Sequence, residues 1–452
     1  MSQFQYQGKR AGSGGDGYGR GSTSGGAVRS SEALNELTHK LHQRLIEELD
    51  PTKLDGLEAE KARAAVETAA RALIAQEMPG IVGAVRDDLV TAVADEVLGL
   101  GPIEGLLKDS SISEVMVNAP DTVFYEKEGR IYLSPIRFRD ANHIMRVVER
   151  IIAPLGRRVD ESSPMVDARL ADGSRVNVII PPVAPKSPTI TIRKFRQDKM
   201  TVEDLIATGT LTREMAEFLR ACVQVKLNML LSGGTGTGKT TLLNALSAFI
   251  PDTERIVTIE DPTELKLQQG HVVSLEARPP SLEGKGEVTQ RDLVRNSLRM
   301  RPDRILVGEV RGAEAFDMLQ AMNTGHEGSL STVHANSPRD CLARVENMIL
   351  MAGLDLPIRA IREQLASAID MVVQISRLTD GSRRITHISE ISGMEGQIVT
   401  MQDLFRFEQQ GIDAEGRVVG HFRSTGIRPQ FADRFEVAGI TLPTDIYSGA
   451  RM

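Results

Sequence analysis

Cysteine is close to absent from this chain: Cys222 and Cys341 are the only two in 452 residues. Two thiols so far apart form no disulfide framework and fit a reducing compartment. They also exclude a four-cysteine zinc module. Long apolar runs are lacking. No stretch approaches the roughly 18–20 residues that cross a bilayer. The opening MSQFQYQGKRAGSGGDGYGRGSTSGG holds no apolar core and does not read as a signal peptide. The expectation is a cytoplasmic chain that meets a membrane only through a partner or a surface patch. Excess positive charge is lacking too. The net charge is −7, and no clear groove of basic and aromatic residues stands out. Both argue against a nucleic-acid partner.

Apolar residues make up 41% and charged residues 25%, as in an ordinary globular protein, and the length suits two or three domains. Residues 1–30 are rich in Gly and Ser and read as disordered. From Ser31, read as an N-cap, Leu34, Leu37, Leu41, Leu45 and Leu49 recur at helical spacing. Helical stretches near 57–77 and 81–98 follow, separated by Pro79-Gly80, so 31–100 reads as a helical bundle. Residues 101–197 alternate apolar runs with turns at Glu128-Gly129 and Asp172-Gly173, around a helix in ANHIMRVVERIIAPLG. That is an α+β domain. Residues 198–205 read as a linker. From Asn228 onward apolar strands alternate with helices, the grammar of a doubly wound α/β domain with a largely parallel sheet. This domain takes in 206–395 and closes on a hairpin around LTDGSRRITHISEI. The tail, 396–452, carries no assigned structure.

GGTGTGKT, from Gly233 through Gly234, Thr235, Gly236, Thr237, Gly238 and Lys239 to Thr240, matches the phosphate-binding loop G-x-x-x-x-G-K-[ST] in full. NMLLS before it reads as a strand. TLLNALSAF after it, opening at Thr241, reads as a helix. Glycines let backbone N–H groups turn inward around phosphate, and the helix presents its positive end to the anion. Lys239 suits the β- and γ-phosphates, and the Thr240 hydroxyl suits Mg2+. ATP and Mg2+ are therefore the expected cofactors. Such a loop needs an acid at the end of a neighbouring strand. RILVGEVR supplies Glu309, which can orient or deprotonate the attacking water. RIVTIEDPTE supplies Glu260 and Asp261, which can hold Mg2+-bound waters. Asp261 can instead cap a helix ahead of Pro262. GHEGSLSTVHANS spends two of eight histidines, His326 and His334, on one small, polar segment. Zinc would want more His or Cys nearby, and a core role fits poorly among small polar neighbours.

Four blocks now stand in order: GGTGTGKTT, RIVTIEDPTEL, LRMRPDRILVGEVRG and TGHEGSLSTVHANS. The set resembles the type II/type IV secretion ATPase superfamily, with its Walker A, Asp, Walker B and His boxes. Longer stretches, from LQQGHVVSLEARPP through MILMAGLDLPIRAIREQLASAIDMVVQISRL, resemble the CpaF/TadA branch, the ATPases of tight-adherence (Flp-type) pili. The likeness covers roughly residues 100–395. It implies a RecA-like P-loop motor domain preceded by a PAS-like α+β domain. It also implies a homohexamer that hydrolyses ATP with Mg2+ and acts on an inner-membrane pilus platform from the cytoplasmic face. Arginines of the α+β domain would approach the terminal phosphate: Arg175 in GSRVNVIIPP and Arg193 in ITIRKF match, and Arg169 in DARL matches less closely. His326 and His334 would line the cleft and report on the γ-phosphate. Glu309, Lys239, Arg175, Arg193 and Glu260 form the expected catalytic set, with Thr240 and Glu260 toward the metal. The alternative from the same superfamily is a type IV secretion traffic ATPase or a retraction ATPase.

Overall fold

The structure, a computed structural model, describes residues 36–45, 58–127, 129–195, 200–280 and 285–449. The Gly/Ser-rich opening, the Ser31 cap and the turn residue Glu128 lie outside the described residues. The chain divides into two compact units, 1–195 and 196–452.

In the first unit, α1 (36–45), α2 (Ala59–Glu77) and α3 (Ala84–Leu98) pack as a bundle. Leu41, Leu45, Val66, Leu73, Ile74, Leu89 and Val93 close its core. A short helix, α4 (Glu104–Lys108), leads into six antiparallel strands. They are β1 (Ile112–Ala119), β2 (Thr122–Lys127), β3 (Arg130–Leu133), β4 (Met165–Arg169), β5 (Arg175–Ile179) and β6 (Thr189–Arg193). Their order is β3-β2-β1-β6-β5-β4. Helix α5 (Ala141–Ile152) begins where the Asp140 carboxylate accepts from the His143 N–H at 2.7 Å. It buries Ile144, Val147, Val148 and Ile151, one helical stripe, against alternate strand residues such as Val115, Val117, Ile190 and Ile192. This is the α+β arrangement expected of the region.

The second unit opens with α6 (Val202–Ala207) and α7 (Arg213–Gln224). Helix α6 starts inside the stretch read as linker. A reciprocal cap between Thr201 and Asp204 sets it, and Val202 and Leu205 bury in the unit's core. Then follow β7 (Met229–Gly233), α8 (Lys239–Ser247), β8 (Ile256–Glu260), β9 (Val272–Glu276), α9 (Gln290–Ser297), β10 (Arg304–Val310), α10 (Glu314–Asn323) and β11 (Leu330–His334). Helices α11 (Pro338–Met351) and α12 (Ile358–Ala368) precede β12 (Met371–Arg377), β13 (Arg383–Glu395), β14 (Ile398–Ile412), β15 (Val418–Ser424) and α13 (Ala432–Val437).

These strands form one sheet in the order β15-β14-β13-β12-β7-β11-β10-β8-β9. From β12 to β9 every pairing is parallel, and from β12 to β15 every pairing is antiparallel. Strands β7 and β8 are buried at every residue, as both-faces-covered parallel strands require. Successive side chains serve opposite faces: Met229 and Leu231 join one core cluster, Leu230 the other. The unit is an α/β, RecA-like P-loop domain. The tail is not a loose end. It adds β14, β15 and α13, and Phe405, Phe422, Phe431 and Phe435 complete the first cluster.

Candidate active site

Strand β7 carries the loop Gly233–Gly238 to the carboxyl edge of the parallel sheet, where doubly wound folds bind ligands. Gly233 has no room for a side chain. A Cβ there would lie 2.4 Å from the Ile375 carbonyl oxygen and 2.6 Å from Thr237 Oγ1. At the other end of the loop Gly238, at φ 100°, is the N-cap of α8 and supplies no side-chain acceptor. Helices α6, α7, α9 and α11 each start on a Thr or Ser that accepts a backbone N–H. The first turn of α8 is thus left to an outside acceptor, and an anion suits it. Lys239 is 8% exposed and folds Nζ back onto the carbonyls of Gly233 at 3.0 Å and Gly234 at 2.9 Å. Thr237 Oγ1 donates to the Gly234 carbonyl at 3.0 Å. Thr240 and Thr241 stand half-buried in the first turn of α8.

Strand order decides what faces the loop. β11 lies between β7 and β10, with His334 paired to Gly233 and Val333 to Val310. His334 therefore sits between the loop and the acid. Its Nε2 is 3.0 Å from Thr235 Oγ1, and its Nδ1 is 2.8 Å from Glu309 Oε1. One imidazole bridges the phosphate loop to the carboxylate. Burial is the largest single influence on Glu309 and pushes it up, and the His334 hydrogen bond works against it. With the charges of His334, Lys239 and Arg311 that bond holds the carboxyl below its usual range.

Glu260 closes the end of β8 and is 2% exposed. Its Oε1 accepts the N–H groups of Glu264 and Leu265, both at 2.8 Å, while the buried Oε2 has no hydrogen-bond partner. Burial raises the carboxyl to about 7 against those two bonds, and Glu264 and Glu276 add to the rise. The side chain lies over Gly308, where a Cβ would meet Glu260 Cγ at 2.9 Å. A glycine before Glu309 is thus a packing requirement set by Glu260. Asp261 caps no helix, because β8 runs into an irregular segment; its carboxylate pairs with Arg311.

His326 is not part of this constellation. It precedes β11, whereas His334 ends it, and four strand steps of about 3.3 Å put His326 beyond the opposite edge of the sheet. Its Nδ1 is buried without a hydrogen-bond partner, and its carbonyl accepts from Ser329 Oγ at 2.8 Å. Of the two histidines, His334 ends β11 beside the loop, whereas His326 lies in the turn between α10 and β11.

In the first unit the three arginines form a row. Arg169 on β4 pairs with Arg175 on β5, which pairs with Arg193 on β6. Cross-strand partners share a face, and like charges placed so repel. Glu114 on β1 stands next in the row, 3.7 Å from Arg193 Nε. Arg169 also lies over the Phe195 ring, 6.0 Å from its centroid.

The family described as Type II/IV secretion system protein matches residues 96–419. The chain belongs to that family, and it is an ATPase. A Mycobacterium tuberculosis protein named for conjugal transfer is 40% identical over 309 residues, 67% of this chain and 87% of its own. The type IV secretion system protein VirB11 of Bartonella henselae is 33% identical over 331 residues, 64% of this chain and 91% of its own. The solved VirB11 ATPase of Brucella suis is 31% identical, covering 64% of this chain and 94% of its own, with a TM-score of 0.35.

For a secretion ATPase of this kind the sequence missed one neighbour of the loop. Arg383, the first residue of β13, donates Nε–H to the Gly236 carbonyl at 3.1 Å. Its neighbour Arg384 turns instead to the Thr208 carbonyl at 2.9 Å. Nothing in SRR distinguishes the two arginines before the hairpin is folded. Mg2+ suits the remaining acceptors. Among the described residues no group of three or more His, Cys, Asp or Glu could hold a metal by itself. The Thr240 hydroxyl and the orphaned Glu260 Oε2 fit an ion held mainly by phosphate and water.

Proposed function

We propose that the chain is a hexameric, Mg2+-dependent ATP motor that drives assembly of a tight-adherence pilus through an inner-membrane platform. The observation that carries the ATP chemistry is the bridge Thr235–His334–Glu309. Lys239, the loop N–H groups and the first turn of α8 bind the phosphates. Thr240 and Glu260 would hold Mg2+, which when bound would neutralise charge on the β- and γ-oxygens. Glu309, kept ionised, orients the attacking water and accepts its proton. His334 fixes the Glu309 carboxylate and ties its position to the loop. Hydrolysis then drives movement of pilin, and the chain reaches the membrane through its platform partners rather than through lipid. The long stretch LQQGHVVSLEARPP onward supports the pilus branch.

The names of the relatives favour a second reading, a traffic ATPase of type IV secretion or conjugation. One variant tests both. Glu309→Gln should keep nucleotide affinity and lose turnover by a factor of about 100 or more. A cell carrying it should lose surface pili. Pili intact with DNA or effector transfer abolished would establish the second reading. Normal ATP hydrolysis would remove Glu309 from the mechanism.

A further inference from the structure

The polarity of the bound nucleotide follows from the strand order. Glu309 on β10 and His334 on β11 lie on one flank of β7. Hydrolysis occurs at the terminal phosphate, so that end of the polyphosphate faces this flank. The rest of the nucleotide leaves the loop on the other flank, which β12 and β13 occupy. There the hairpin closes tightly on the loop. The Ile375 carbonyl is what a Cβ on Gly233 would strike, and Arg383 Cδ lies 3.4 Å from where a Cβ on Gly238 would stand. Arg383 Nε donates to the Gly236 carbonyl at 3.1 Å. The loop is thus gripped on both sides, by His334 through Thr235 and by Arg383 through Gly236. Lys239 is buried beneath the loop on its own carbonyls, whereas Arg383 is half-buried along its outer side.

We propose that Arg383 receives the nucleoside end of the nucleotide, its guanidinium meeting the α-phosphate. A guanidinium carries five N–H donors in a planar fork, a geometry that can hold a carbonyl and meet a phosphate at once. Because the contact lies at the α-phosphate, it acts equally on ATP and ADP and leaves the reacting bond alone. Arg383 sets affinity and product retention, and Glu309 sets the chemical step. This inference rests on the assignment of Gly233–Thr240 as the nucleotide loop.

The test is binding of ADP and of a non-hydrolysed ATP analogue, with Mg2+, by the full chain and by Arg383→Ala, Arg383→Gln and Arg383→Lys. Ala and Gln should each raise Kd for both nucleotides about tenfold. Lys, which keeps the charge, should restore most of the affinity. Thermal midpoints should not move. Full rescue by Gln would overturn the proposal, because a neutral donor to the Gly236 carbonyl would then suffice. Unchanged ADP affinity in Ala would overturn it too, as would a lower kcat at unchanged Kd. Wild-type chain that bound neither nucleotide would fail the loop assignment itself, an outcome separate from these.

Discussion

His334 has its two ring nitrogens on two walls of the site, Thr235 on one and Glu309 on the other. One ring thus ties the two walls together, so a change of partner at Thr235 is felt at Glu309. His334→Ala should lower kcat about tenfold or more while leaving nucleotide Kd near the wild-type value. Its pH profile should shift as well. The imidazole helps hold the Glu309 carboxyl below its usual range. Without it the carboxyl rises, a higher pH is needed to ionise the base, and the acid limb of kcat moves up. An acid limb that stays in place would show that His334 does not tune Glu309. Glu260 makes the opposite case. Its folded-state value is raised, from an ordinary 4.5 to about 7. The stability tied to its proton is full below the unfolded value and is lost as pH rises to about 7. Glu260→Gln keeps an acceptor for the Glu264 and Leu265 N–H groups and removes the titration. The nucleotide-free variant should gain stability over wild type on going from pH 5 to pH 8, on the order of 3 kcal/mol at about 1.4 kcal/mol per pH unit. Urea midpoints at the two pH values measure it.

At the scale of elements, the site exists because β11 is inserted between β7 and β10. The four sequence blocks were legible as blocks, since glycine spacing and apolar runs mark them locally. Their adjacency was not, because three parallel strands met through crossover helices leave no local record of their order. Gly308 shows the difference at one position. In sequence it is an oddity of an apolar strand. In the sheet it is the floor under the Glu260 side chain. Gly308→Ala should cost about 1–3 kcal/mol, the usual range for an overpacked buried contact. It should also reduce turnover, because Glu260 can yield only by leaving its two N–H donors. A variant with wild-type denaturation midpoint and rate would mean that Glu260 moves freely.

Across the whole molecule, the two units have separate cores. Ile144, Val147 and their neighbours close the sheet of the first, and two clusters close that of the second. The C-terminal segment is structural in the second unit. Phe218 on α7 meets Phe405, Phe431, Phe435 and Tyr447, with ring centroids 5.0–6.5 Å apart. Arg434 on α13 donates to the Val225 carbonyl at 2.9 Å and approaches Glu327 at 3.4 Å and Asp370 at 3.6 Å. Phe435→Ala should therefore destabilise the second unit by about 3–5 kcal/mol. Calorimetry should show that unit melting earlier while the transition of the first stays in place. A shared shift of both would mean that the units unfold as one.

The sequence alone determined the chemistry. The loop Gly233–Thr240, the acids Glu260 and Glu309 and the helix and strand periods are properties of residue type and short spacing, which propensity and phosphate chemistry read directly. It also bounded the chain as an α/β protein with an α+β neighbour. The tertiary structure decided which of two histidines reaches the loop, which of two adjacent arginines grips it, why residue 308 is glycine, and that the tail belongs to the core. Each of these depends on strands brought together from far along the chain, and contact across a sheet is set by register and burial, which no local window contains.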